Sequence, residues 1–140
     1  MTSLWVLGLY ALDHLYYVES LPDPEASVMA ERYLTADGGK GANQAVCAAR
    51  LGADVQFVAH LGRDSAGEQA LRTLERAGVG VQHVLRDDQP TASSAIVIDR
   101  AGRQTITTHA GGAARLSTHH VRDALRRAPE GAILSLQGEL

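Results

Sequence analysis

Between residues 41 and 85 the chain alternates two kinds of hydrophobic pattern, and glycines punctuate the changes. Ala42, Ala45, Val46 and Ala49 recur at i, i+3, i+4 and i+7, the stripe of an amphipathic helix that ends before Gly52. VQFVA at 55–59 is a short strand. Asp64 is placed to cap a second helix, whose stripe Ala66, Ala70, Leu74 and Ala77 is stopped by Gly78, and VQHVL at 81–85 is another strand. Strands separated by whole helices do not pair as hairpins. They pair in parallel through crossovers that put helices over the sheet. The expected fold is therefore α/β, a doubly wound parallel sheet.

LWVLGL at 4–9 extends this sheet as a buried first strand, and AILSL at 132–136 as a buried final one. Before the final strand, Ser117 caps a third helix with Val121, Ala124, Leu125 and Ala128 on one face. Two stretches break the pattern. Segments 14–18 and 31–36 mix aromatic and polar residues around LPDPEA, which reads as exposed strands joined by a Pro-rich turn. ASSAIVID, RAG and RQTITTH over 92–109 read as a hairpin turning at Gly102. The segments 14–36 and 92–109 are expected to form a smaller second β-sheet layer within a single domain spanning 1–140. The chain reaches QGEL directly after a core strand, with no helix following to cover the sheet. The expectation is of a fold cut before its C-terminal part rather than finished.

Charge and composition exclude several classes of function. The net charge is −3 with a pI near 6.0, so there is no basic footprint for nucleic acid or for an anionic membrane surface. No apolar run approaches the roughly 18 residues of a membrane span. The start, MTSLWVLGLYALDH, has no basic region and meets an acid at Asp13, unlike a secretory leader. Cys47 is the only cysteine. It forms no internal disulfide and suits a reducing, cytoplasmic compartment. Mid-helix among alanines, it reads as a packed thiol rather than a nucleophile.

The chain writes 12 of its 13 strong bases as arginine and one, Lys40, as lysine. Lys40 lies in GGKGAN, where a glycine pair lets backbone approach a ligand and a helix begins. The spacing is neither a P-loop nor GxGxxG. Such a turn serves equally as a ligand cradle or as a plain strand-to-helix connection with a solvated lysine, and the spacing leaves both open. Asp13 follows the first strand, where open α/β sheets bind ligands, and Glu139 follows the last. Each has an ordinary alternative, as a turn residue or a solvated terminal residue. Taken together, two carboxylates that accept from hydroxyls and the donors Lys40 and Asn43 compose a polyol site. The histidines show no metal spacing: His119 and His120 are adjacent and diverge on a helix, and His109 precedes a turn.

With these residues in view, GGKGANQAVCAARLGADVQFVAHLGRDSAGEQALRTLERAGV resembles the first signature of the ribokinase-like carbohydrate kinases, the phosphofructokinase B family. VLGLYALDH, PTASSAIVID, THAGGAARLS and LSLQGEL follow the family's order, so the resemblance covers nearly the whole chain. It implies a Rossmann-like doubly wound core with a β-sheet lid that often forms a homodimer. It also implies phosphorylation of a sugar hydroxyl from ATP with Mg²⁺. By the same resemblance Asp13, Gly39, Lys40, Asn43 and Glu139 would contact the sugar, and Lys40 would donate to substrate rather than to phosphate. Ala11 stands where ribose-phosphorylating members carry Asn, and Ala113 where an Asn often follows HAG. The family's GAGD-type motif, with its anion hole and catalytic base, lies beyond residue 140, as do its nucleotide-binding segments. No catalytic residue is expected in this chain. Its expected role is the sugar-binding portion of such a kinase, inactive alone. The alternative is a stand-alone, non-catalytic sugar-binding or dimerisation module, and a complementary C-terminal half would be the partner.

Overall fold

The structure is a computed structural model and describes residues 2–138. Four parallel strands make the core sheet in the order β5 (Val79–Asp87), β4 (Asp54–Gly62), β1 (Ser3–Leu7), β8 (Ile133–Leu136). Helices α1 (Lys40–Arg50) and α2 (Ser65–Arg76) cover one face and α3 (Thr118–Leu125) the other, so the sheet is doubly wound. On the first face Ala42 and Ala45 of α1 and Ala70 and Leu74 of α2 close over Val6, Val55 and Phe57. On the second, Trp5, Leu7 and Val58 pack under Ala124. The alternation along β1 explains the split, because neighbouring residues point to opposite faces.

The starts of α1 and α2 differ in how they are capped. Asp64 Oδ1 accepts from the Gly67 amide at 2.8 Å, a side-chain cap on α2. Gly39 begins α1 with no side-chain cap. A Cβ at Gly39 would come within 2.5 Å of the Leu9 carbonyl oxygen, and its φ of 89° is itself glycine territory.

The second sheet is the lid, in the order β3 (Arg32–Gly38), β2 (Ala11–Tyr17), β6 (Ser93–Ile98), β7 (Gln104–His109). β2 and β6 run parallel and the outer pairs antiparallel. Its hairpin turns where Asp99 Oδ1 accepts from the amides of Ala101 and Arg103, with Gly102 at φ 78°. Leu9, Ala11, Ala92 and Ala113 form a small buried cluster where lid and core meet.

Several details differ from the sequence reading. The first core strand stops at Leu7, because Gly8 is pressed against Gly41 of α1 (2.7 Å from its Cα to a Cβ built on Gly8) and the chain turns there into the lid. The lid strands begin at Ala11 and end at Gly38, longer than 14–18 and 31–36. Strand 132–136 is not buried: β8 is an edge strand, and Ile133, Leu134 and Leu136 are exposed. Cys47 is exposed rather than packed, because it lies about 200° around the helix from Ala45, the centre of the buried stripe. In α2 the buried face is Gly67, Ala70 and Leu74, with Ala66 only half-buried. No helix among the described residues is long and apolar enough to cross a membrane.

Candidate functional site

The lid rises from the carboxyl end of β1, the end at which parallel α/β sheets present their ligand sites. A cavity of about 500 Å³ lies there. Leu9, Ala11 and Asp13 line it from the run into β2, Gly39, Lys40 and Asn43 from the start of α1, and Ser94, Ile96, Ile106 and Thr108 from the lid hairpin. Four of the five residues expected from sequence, Asp13, Gly39, Lys40 and Asn43, thus share one cavity although up to 30 residues separate them. Glu139 lies outside the described residues.

Asp13 is on β2 itself, half-buried at the cavity wall. Burial pushes its carboxyl above the ordinary carboxylate value, opposed by a hydrogen bond from Ser94 and by the charge of nearby His14. His14 points to the other lid face, where its Nδ1 is 2.8 Å from the Tyr33 hydroxyl. Diagonally across the β2–β3 ladder, the backbone of Gly38 lies against the Asp13 carboxylate. Lys40 and Asn43 open α1 with exposed side chains, one turn apart on the same side.

Sequence reasoning missed the lid's contribution. Ser94 and Thr108 pair across the β6–β7 ladder, hydroxyl to hydroxyl at 3.1 Å, and flank the cavity with Ile96 and Ile106. Their signal was the period-two spacing of 94 with 96 and of 106 with 108, which marks one face of each strand without saying what it faces. The result is a mixed surface, in which a carboxylate, hydroxyls, an amide and an ammonium stand among aliphatic side chains. Such a wall accepts from and donates to hydroxyls while packing on C–H groups.

A larger depression of about 740 Å³ lies between α3 and the end of β8. It is lined by Leu7, Leu116, Val121, Leu125 and Leu136 with Arg122 and Arg126, and no carboxylate faces it among the described residues. Its floor is apolar, at the edge strand β8, whereas the smaller cavity is the one lined by a carboxylate, an amide and an ammonium. Among the described residues no three of His, Cys, Asp or Glu gather into a set that could hold a metal ion.

A parallel core with a four-stranded lid raised over the end of its first strand defines the ribokinase-like class of α/β folds. The chain belongs to the pfkB family of carbohydrate kinases, whose pattern matches residues 1–140. Ribokinase of Haemophilus influenzae is 32% identical over 138 residues, which cover 98% of this chain and 45% of that protein. The ribokinase of Arabidopsis thaliana, solved in complex with ribose and ATP, superposes with a TM-score of 0.71 at 31% identity, over 80% of this chain and 37% of that one. Ribokinase of Giardia lamblia matches the fold with a TM-score of 0.88 at 22% identity, over 99% and 43%. The chain spans about half the length, 45% and 48%, of curated relatives such as the ribokinases of Haemophilus influenzae and Bacillus subtilis.

Proposed function

We propose that this chain is the sugar-binding and lid-bearing portion of an ATP-dependent carbohydrate kinase that phosphorylates a sugar hydroxyl. The observation that carries the reading is the convergence of Asp13, Lys40 and Asn43 on one cavity beneath the lid, in a chain of the pfkB family. In this reading Asp13 accepts from substrate hydroxyls, Lys40 and Asn43 donate to others, and Ile96 and Ile106 pack on the sugar's C–H face. By the family resemblance Glu139, outside the described residues, would supply a second carboxylate. The half-buried carboxylate of Asp13 orients a hydroxyl well because little water competes for it.

Phosphoryl transfer depends on positioning and on stabilising charge at the phosphate. This chain provides the first, while the base, the anion hole and the ATP segments belong to the part of the family's length that it does not span. The 140-residue chain is accordingly inactive alone, and a missing general base by itself lowers a rate by about 10²–10⁴-fold. Calorimetry of the chain with pentoses, hexoses, sugar acids and nucleosides tests the site, and ADP release from Mg·ATP with the same panel tests the inactivity. Saturable binding of a sugar without turnover is the expected result. Robust turnover by the pure chain, or sugar binding that is indifferent to Asp13→Ala, overturns the reading.

A further inference from the structure

Asp37 stands one residue before Gly38, and strand alternation turns it to the lid face opposite Asp13. It contributes nothing to the lining of the polyol cavity. Its carboxylate is nevertheless held by three donors from the core. Oδ1 accepts from the Tyr10 hydroxyl at 2.5 Å and from Gln69 Nε2 at 3.0 Å, and Oδ2 accepts from Thr73 Oγ1 at 2.9 Å. Tyr10 is only 2% exposed and belongs to the main core cluster, while Gln69 and Thr73 stand on α2. Burial first, then the hydrogen bond and charge of Asp37, raise the Tyr10 hydroxyl far above its usual value, so it remains a donor.

Directly after this anchor come Gly38 and Gly39, with no side chains of their own to fix their place. Glycine is the most permissive backbone residue, so beyond the ladder pairing of Gly38 with Ala11 the geometry of the pair depends on how its flanks are held. On one flank is α1, which begins at Lys40. On the other is Asp37. Asn43 lines both the polyol cavity and a smaller one of about 260 Å³ behind the turn, where Tyr10, Asp37 and Thr73 also lie. The two sides of the turn meet at that residue.

We propose that Asp37 is a positioning residue for the sugar site, tying the foot of the lid strand β3 to Tyr10, Gln69 and Thr73 and so holding the Gly38–Gly39 turn against Asp13 and Asn43. Its effect on ligand rests on the sugar-site reading of the cavity; its effect on the turn does not.

The test compares the whole chain as wild type, Asp37→Ala, Asp37→Asn and Thr73→Val, with amide exchange over 36–43, carboxyl-carbon NMR titration of Asp13, and sugar calorimetry. In Asp37→Ala, exchange at 38–41 should accelerate about tenfold or more while β4 stays protected. The Asp13 carboxyl should move down toward the ordinary 3.8 as solvent reaches it. Any sugar that binds wild type should bind Asp37→Ala about tenfold more weakly, with partial rescue in Asp37→Asn, which keeps an acceptor. Thr73→Val removes one donor and should shift the same readings part of the way, which decides the matter if Asp37→Ala does not fold. Unchanged exchange and an unchanged Asp13 titration in the folded variants overturn the proposal. A freed turn in Asp37→Ala, in a chain whose wild type binds no sugar, supports the anchor and overturns the sugar assignment instead.

Discussion

The carboxylate of Asp13 lies directly against the backbone of Gly38: a Cβ built on Gly38 would stand 2.0 Å from Asp13 Oδ2 and 2.6 Å from its Cγ. The two residues sit diagonally across the β2–β3 ladder, where Ala11 pairs with Gly38 and Asp13 with Ala36. The glycine therefore sets where the acid can be. Gly38→Ala should push the carboxylate out of the cavity wall and weaken sugar binding about tenfold or more. The overpacking should cost about 1–3 kcal/mol of stability. Calorimetry and thermal melting of the variant check both; a variant that binds and melts as wild type refutes the dependence.

Asp13 should also carry a stability penalty at neutral pH. Its folded-state carboxyl is raised above 3.8, mainly by burial, so the folded chain holds the proton more tightly than the unfolded chain. The contribution of Asp13 to stability is then greatest below 3.8 and falls as pH rises through the folded value. Asp13→Asn removes this penalty. It should raise the melting temperature at pH 7, converge with wild type at low pH, and abolish sugar binding.

Lys40 and Asn43 are exposed on the first turn of α1, so their loss should leave the fold intact. Lys40→Ala and Asn43→Ala are each expected to weaken sugar binding by about 1–3 kcal/mol, the cost of leaving a bound hydroxyl without its partner. Calorimetry should show this while circular dichroism stays unchanged. Equal binding by both variants removes them from the site.

Asp64 joins α2 to the base of the lid. Besides capping Gly67 it accepts from the Thr91 amide at 2.8 Å and from the Thr91 hydroxyl at 2.6 Å. Burial raises its carboxyl, but the Thr91 and Gly67 hydrogen bonds outweigh that and hold it below the ordinary 3.8. The stabilisation is complete above that value and is lost as pH falls through the lower folded one. Asp64→Ala should cost about 1–2 kcal/mol at pH 7 by urea unfolding. The gap to wild type should narrow in acid, and a pH-independent gap would refute the linkage.

The lid and the β8 edge together should make the chain self-associate. β7 is exposed along its whole length, and Tyr33 and Ile106 are about half exposed, at 52% and 51%. Val18 is only 3% exposed and Ile96, at the cavity wall, 9%, so neither offers an open face there. Ile133 and Leu136 are 57% and 66% exposed on the core edge. Open strand edges with apolar side chains recruit further strands. Static light scattering at micromolar concentration should report a dimer or larger species, reduced by Ile106→Asp. A clean monomer at high concentration counts against both surfaces.

The core was legible because its signals are local. The stripe through Ala42 and Ala45, the cap at Asp64 and the stop at Gly78 each act within a turn or two of helix, so they survive in a linear reading. Alternation of helix and strand then leaves few topologies once parallel pairing and right-handed crossovers are imposed. That Asp13, Gly39, Lys40 and Asn43 gather at one cavity was legible by motif and by their place at strand and helix ends. Ser94, Thr108 and Ile106 were not, because what an exposed strand faces is decided by where the whole lid lies. The exposure of Cys47 and β8 was misread for a related reason. An alanine-rich helix hides which of its faces is buried, and an apolar strand reads the same in the middle of a sheet as at its edge.

The sequence by itself determined the order of elements, the parallel core and the residues with the chemistry to hold a polyol. Those follow from periodicity, capping and turn chemistry, which depend on near neighbours. Tertiary structure alone decided that β2 pairs with β6 as well as β3, and that Ser94 stands beside Asp13. It alone placed Asp37 to reach Tyr10, Gln69 and Thr73 behind the glycine turn. These contacts join residues 27 to 81 positions apart. Such separations carry no local signature, since they form only when loop closure is repaid by packing that the whole fold provides.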